Sequence, residues 1–265
     1  MTTRARSGRL MIKFYLIGMG PGDPKYLTLE AVEAIKNTQV FFLPKKGGEK
    51  EELLKIRKEV LERFARPSHR VIELTFPARE GASLKSEAYV ERVERWRRGK
   101  AQVLARAISE ELEDGETGAL LLWGDPAFYD GHIEILKEVE RMLPHALAWE
   151  VIPGISALQI LSARHKLSLT EIGGSLQITT GRGLRQMPPE EVRNVIVFLD
   201  NYLSFWPLRD QDLEIYWGAY LGMPGEVIIS GKLCEVAEMV SEVRRKLQGE
   251  RGWIMETYLL RRRRP

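Results

Sequence analysis

The 265-residue chain is predicted to fold as two α/β domains. Residues 11–154 form an N-terminal parallel sheet with flanking helices, and residues 155–265 form a C-terminal domain with a mixed sheet. Three observations carry this reading. Apolar strand-length runs alternate with amphipathic helix-length segments through the first half, which implies parallel pairing through right-handed crossovers. Three of these strands end on glycine-containing loops. Beyond Gly154 the strand-like runs have fewer helices between them, as a mixed sheet requires.

Lys13–Ile17 is an apolar run that stops at glycines, hence a first strand. Leu27–Lys36 is a short helix, with Thr28 as N-cap and Glu30 in its first turn. Val40–Leu43 is a buried strand. Glu49–Phe64 places Leu53, Ile56, Val60 and Phe64 at helical spacing. Val71–Leu74 is a third strand, and Pro77–Ser86 a breaker-rich loop. A long polar helix then runs to Leu112, with Ala101, Leu104, Ile108 and Leu112 on one face. Ala119–Leu122, Ile133–Leu143 and Trp149–Ile152 complete the first domain as strand, helix and strand. In the second, Leu176–Thr179, Val195–Leu199, Leu213–Trp217, Glu226–Ile229 and Trp253–Leu260 are strands. A helix carrying Val236, Met239, Val243 and Leu247 precedes the last of them. Residues 1–10 are basic and lack the apolar core of a secretory signal, so they are expected to be a flexible extension, with Met11 an alternative start. The run Arg261–Arg264 is expected to be a solvated tail.

Lys and Arg total 40 against 37 Asp and Glu, a net charge of +3, which argues against a nucleic-acid partner. No apolar run has the roughly 18 residues of a membrane span. The single cysteine, Cys234, can form no internal disulfide and no cysteine-cluster metal site, so a reducing cytoplasm is the expected setting. His69, His132, His145 and His165 show no metal-ligand spacing and are read as surface or capping residues, so no metal is expected.

The chemistry is expected at the strand ends, because open α/β sheets collect ligands there. The first loop is Gly18-Met19-Gly20-Pro21-Gly22-Asp23-Pro24. It departs from a dinucleotide fingerprint: Asp23 replaces the third glycine, and Pro21 and Pro24 remove amide donors. The next strand brings no acid for a ribose, which disfavours NAD; Lys45 and Lys46 leave NADP open, and a tight turn without a ligand is the other reading. The second loop, Trp123–Asp130, holds Asp125 extended before Pro126, so its carboxylate is expected to project toward an amine or a ribose hydroxyl rather than form a turn. Asp130 is expected to cap the following helix. The third loop, Val151–Ala157, opens a helix; Ser156 is read either as its cap or as a ligand contact.

Taken in this order, the loops Gly18–Thr28, Gly124–Pro126 and Val151–Ala157 resemble the tetrapyrrole (corrin and porphyrin) methylase family. Within it, Phe41–Lys46, Trp123–Asp130, Ile178–Arg182, Ile215–Leu221, Ile228–Gly231 and Gly252–Arg262 are similar to the deacetylating C-methylases of aerobic cobalamin biosynthesis. The resemblance implies S-adenosylmethionine bound in a cleft between two domains. It carries cofactor contacts over to Pro21, Gly124, Asp125, Ser156, Ala157 and, more loosely, Leu199. Trp123 stands where most relatives have a glycine. The implied reaction methylates carbon 1 of precorrin-5 and releases its acetyl group as acetate.

That reaction asks for a base near a water and for donors near an oxyanion. Tyr129, Asp130, Tyr216 and Tyr220 are the candidate catalytic residues. Lys45, Lys46, Arg182 and Arg185 could pair with the carboxylate arms of a tetrapyrrole substrate. A homodimer is expected, with Trp206 and the Asn201–Leu208 loop as anchors. Alternatives are a methylase acting at another corrin carbon or on a protein or RNA, and a non-catalytic S-adenosylmethionine-binding regulator.

Overall fold

The structure, a computed structural model, describes residues 11–45, 51–78 and 86–262. Lys46, residues 1–10, Arg263 and Arg264 lie outside the described residues. The chain divides into two compact units. One holds Pro24–Gly154 with the described residues up to Gly20; the other holds Ile155 onward together with Pro21–Asp23.

The first unit is built on five parallel strands: β1 (Met11–Gly18), β2 (Val40–Pro44), β3 (Arg70–Leu74), β4 (Thr117–Leu122) and β5 (Ala146–Ile152). Their order is β3-β2-β4-β1-β5. Between them run α1 (Leu29–Asn37), α2 (Glu51–Phe64), α3 (Ser86–Glu111) and α4 (His132–Met142). β2 and β4 are apolar without alternation because both faces of the sheet are covered. Phe14, Phe42, Leu120 and Leu122 pack against Leu104 and Ile108 of α3 and Ile135 and Leu136 of α4. The opposite face sends Ile17, Phe41, Ala119 and Leu121 against Ile35 of α1 and Val60 of α2. Thr28 caps α1, accepting a hydrogen bond from Ala31 N at 3.0 Å.

In α2 the buried stripe is Leu53, Arg57, Val60 and Leu61, turned slightly from the predicted one. A buried arginine is tolerated because its guanidinium is hydrogen-bonded: Nε donates to Leu121 O at 3.1 Å and an Nη to Leu53 O at 3.0 Å. Burial pushes the Arg57 pKa down to about 10, against the pull of Asp130.

The second unit contains β6 (Gln177–Thr180), β7 (Asn194–Phe198), β8 (Leu213–Ala219), β9 (Val227–Lys232) and β10 (Glu256–Arg262) in the order β6-β7-β10-β8-β9. Only β6 and β7 pair in parallel; the remaining pairs are antiparallel, giving a mixed sheet. Its helices are α5 (Ala157–His165), α6 (Gly181–Leu184) and α7 (Leu233–Arg251). α7 buries Leu233, Ala237, Val240 and Arg244, not the predicted stripe; Met239 is exposed. The polar tail expected at Arg261 is also corrected. Arg261 and Arg262 belong to β10, and their guanidinium groups donate to Leu169 O at 3.1 Å and Val192 O at 3.2 Å.

Candidate functional site

Three loops at the carboxyl ends of β1, β4 and β5 meet backbone to backbone. Gly20 N donates to Gly124 O at 3.2 Å and Gly124 N to Gly20 O at 2.8 Å, an isolated antiparallel bridge between the first two loops. The third loop closes on both. A methyl group at Gly154 would lie 2.2 Å from Gly124 O and 2.9 Å from Gly18 Cα, so only glycine fits. Thr28 Oγ1 adds a donation to Pro153 O at 3.4 Å.

Asp125 fastens the second loop to the third. Its Oδ1 accepts from Ala127 N at 2.8 Å and its Oδ2 from Gly154 N at 2.9 Å. This corrects the expectation that the carboxylate projects outward instead of forming a turn. It is a turn former, because the amide two residues on lies within its reach. The amides of Gly20, Gly124 and Gly154 are therefore committed to partners within the protein. A pyrophosphate cradle needs such amides pointing at the ligand, and these three are not available for one.

In the second unit Ser156 caps α5 through a capping box. Leu158 N donates to Ser156 Oγ at 3.3 Å, and Ser156 N donates to Gln159 Oε1 at 3.0 Å. Ala157 opens the helix beside it. Leu199, directly after β7, combines 60% exposure with a φ of +52°. A leucine held exposed and left-handed is costly for folding.

Asp200, the next residue, is the buried centre of a polar network. Its carboxylate accepts from Tyr202 N, from Ser204 N and Oγ, and from the Tyr258 hydroxyl, at 2.7–2.9 Å. Burial first, and the Asp200 charge second, push the Tyr258 phenol well above its ordinary value. Arg244 donates to Asp200 O at 3.0 Å and to Glu256 Oε1 at 2.6 Å, while Trp217 Nε1 donates to Glu256 Oε2 at 2.8 Å.

The candidate catalysts separate clearly. The Tyr220 hydroxyl donates to Trp253 O at 2.6 Å and the residue is 1% exposed, so it is a packing residue and leaves the candidate set. Tyr216 donates to Glu214 Oε2 at 2.8 Å along β8, its ring edge-on to His165. Tyr129 is exposed with a φ of +56°, beside Asp130. Asp130 does not occupy the expected cap position, which falls on Gly131 in left-handed geometry. Asp130 Oδ1 instead accepts from His132 N at 3.0 Å and from His132 Nδ1 at 2.6 Å. His132 Nε2 in turn lies 2.9 Å from Lys100 Nζ. Sequence reading took His132 for a surface or capping residue and passed over Lys100; the spacing of Asp130 and His132 after the second loop was the available signal for the histidine, and nothing near Lys100 marked it.

Of the basic residues, Lys45 is exposed just after β2, at the same sheet end as the three loops. Arg182 lies in α6, and Arg185 just after it stacks 5.3 Å from the Tyr202 ring centroid. Among the described residues no group of His, Cys, Asp and Glu could hold a metal ion, and no helix is long and apolar enough to cross a membrane.

A five-stranded parallel unit with glycine loops fused at its carboxyl ends, followed in the chain by a mixed-sheet unit, defines a two-unit α/β scaffold. The chain belongs to the tetrapyrrole (corrin/porphyrin) methylase family, whose sequence profile matches residues 13–237. It is 39% identical over 255 residues to precorrin-6A synthase [deacetylating] of Sinorhizobium sp., covering 95% of this chain and 96% of that protein. The crystal structure of a cobalamin synthesis related protein (CobF) from Corynebacterium diphtheriae superposes with a TM-score of 0.81 at 33% identity, covering 95% of this chain and 98% of that one. A uroporphyrin-III C-methyltransferase from Thermus thermophilus, solved with S-adenosylhomocysteine, shares the fold at a TM-score of 0.59 and 21% identity, covering 94% and 97%.

Proposed function

We propose that this protein is an S-adenosylmethionine-dependent C-methyltransferase of cobalamin biosynthesis that converts precorrin-5 to precorrin-6A. It methylates carbon 1 and releases the acetyl group there as acetate. The observation that carries this reading is the 39% identity to precorrin-6A synthase across nearly the full length of both chains. Bound S-adenosylmethionine supplies an electrophilic methyl group. Pro21, Gly124, Asp125, Ser156, Ala157 and Leu199 are the residues proposed to hold it, and the rigid joint at Gly154 keeps the loop carrying Gly124 and Asp125 in place. Methyl transfer then depends mainly on alignment and exclusion of water. Lys45, Lys46, Arg182 and Arg185 are proposed partners for the substrate carboxylates. Tyr129, Asp130 and Tyr216 remain the candidates for handling water and protons.

The reaction consumes one water. Its oxygen ends in acetate, the bond between ring and acetyl carbon breaks, the electron pair of that bond takes up the methyl group, and two protons are released. Carbon 1 is fully substituted, so methylation there has to accompany acetyl loss. Precorrin-5 with labelled S-adenosylmethionine should give acetate and S-adenosylhomocysteine in equal amounts. Methyl transfer with the acetyl group retained would move the assignment to another corrin carbon.

We also propose a cytoplasmic homodimer. Tyr202, Leu203, Trp206 and Pro207, with Arg185 and Ser241, line a hollow of about 400 Å³ in the second unit, in the loop expected to anchor a partner. Light scattering at micromolar concentration should give twice the chain mass; a monomer mass refutes the dimer.

A further inference from the structure

We infer that Asp130, His132 and Lys100 form a hydrogen-bonded relay in which Asp130 takes a proton from the water that attacks the acetyl group, with His132 and Lys100 as positioning residues behind it. This rests on the deacetylating reaction proposed above and assigns its base.

The geometry runs through three parts of the first unit. Asp130 ends the loop after β4, His132 opens α4, and Lys100 lies within α3. The bonds are 2.6 Å from His132 Nδ1 to Asp130 Oδ1 and 2.9 Å from Lys100 Nζ to His132 Nε2. A protonated lysine offers only donors, so Nε2 has to accept and the ring proton sits on Nδ1, facing Asp130. The Asp130 carboxylate, which can only accept, and the Lys100 ammonium, which can only donate, together fix the tautomer, and His132 holds the carboxylate. Water reaches this chain at its Asp130 end: that side chain is 17% exposed, whereas Lys100 as a residue is 6% exposed.

The cost of the arrangement falls on Lys100. Its ammonium stands 4.8 Å from the Trp96 ring centroid and 4.9 Å from that of Phe76. Cation–π attraction only partly replaces its hydration. Burial pushes its pKa down to about 8, Asp130 pulls against that, and Arg97 adds to it. Burial also pushes the Asp130 carboxyl up. Hydrogen bonds from the His132 side chain and backbone, with the Lys100 charge behind, outweigh this and leave it below the usual carboxylate range. Arg57 of α2 adds a further positive charge facing Asp130. Asp130 is therefore ionised while Lys100 is protonated, with its carboxylate able to take a proton only as a weak base. A neutral lysine is a weaker donor to Nε2, which loosens the ring that holds the Asp130 carboxylate.

The test measures acetate release from precorrin-5 by the full chain with S-adenosylmethionine, from about pH 6 to about pH 9.5, in the wild type, Lys100→Met, Lys100→Arg and Asp130→Asn. Wild-type kcat should fall as pH rises through about 8. Lys100→Met should lower kcat by about 10–100-fold at neutral pH, leave KM for S-adenosylmethionine within about twofold and abolish the inflection. Lys100→Arg keeps the charge; it should recover most of kcat and move the inflection to higher pH. Asp130→Asn, which retains an acceptor for His132 N, should lose about 10²–10⁴-fold. Wild-type kcat and pH profile in Lys100→Met overturn the relay, as does a loss confined to KM. If Lys100→Met does not fold, a wild-type profile without an inflection, unchanged in Lys100→Arg, overturns it equally. Wild-type protein that methylates precorrin-5 and releases no acetate refutes the proposed function and the relay with it. Acetate release that the variants leave untouched refutes the relay alone.

Discussion

Arg244→Met should destabilise the protein by about 3–5 kcal/mol, the usual cost of removing one partner from a buried ion pair. Glu256 is the reason. Its side chain is 3% exposed, and it holds Arg244 Nε at 2.6 Å and Trp217 Nε1 at 2.8 Å. Burial already pushes its carboxyl above the ordinary value, against the opposing pull of Arg244 and Trp217. Without Arg244 the opposition weakens and the shift grows. A carboxyl whose folded pKa lies above its unfolded one contributes stability below the unfolded value and loses it as pH rises through the folded value. The deficit of Arg244→Met should therefore be smallest in mild acid and widen toward neutral pH. Glu256→Gln added to Arg244→Met removes the stranded charge and should recover about half of the loss. Urea unfolding of the single and double variants at two pH values checks this. A deficit that does not change with pH, and no recovery in the double variant, would show that lost packing dominates.

The same pair shows where sequence reading stops. Strands were legible because burial on both faces leaves long apolar runs such as Val40–Leu43 and Ala119–Leu122, and because glycines punctuate their ends. The caps at Thr28 and Ser156 were legible because cap chemistry is local. Arg57 and Arg244 were not. A hydrophobic-periodicity reading assigns arginine to the solvent face, and only the acceptors at Leu121 O, Leu53 O, Asp200 O and Glu256 make those positions buried. This is why the stripes of α2 and α7 were drawn slightly off. In the site, the three loops announced themselves through glycine and proline, whereas the function of Asp125 depended on an amide 29 residues away. The Lys100–His132 contact spans 32 residues and joins two helices, so no local pattern encodes it. Tyr220 was misread for the converse reason: an aromatic hydroxyl in a matching stretch says nothing of whether its proton is already committed to Trp253 O.

Gly154→Ala should cost about 2–3 kcal/mol of stability and at least about tenfold in affinity for S-adenosylmethionine, as overpacking in a tight joint does. The new methyl group would meet backbone rather than a flexible side chain, Gly124 O at 2.2 Å and Gly18 Cα at 2.9 Å. Relief comes only by separating the third loop from the other two, which displaces Gly124 and Asp125 together. Asp125→Ala tests the same joint from its other side. It leaves Gly154 N without its acceptor, and affinity should fall by about 1.5–3 kcal/mol. Asp125→Asn sharpens the reading. Both carboxylate oxygens face backbone N–H groups, at Ala127 and Gly154, so an amide would turn its NH2 against one of them. If Asp125 acts as the brace, asparagine should be nearly as damaging as alanine in calorimetric titration with S-adenosylmethionine, and both should lower the urea midpoint. If the carboxylate serves only a ligand hydroxyl, asparagine should restore most of the affinity and stability should be unchanged in both variants. Wild-type affinity in folded Asp125→Ala would remove the residue from the site altogether.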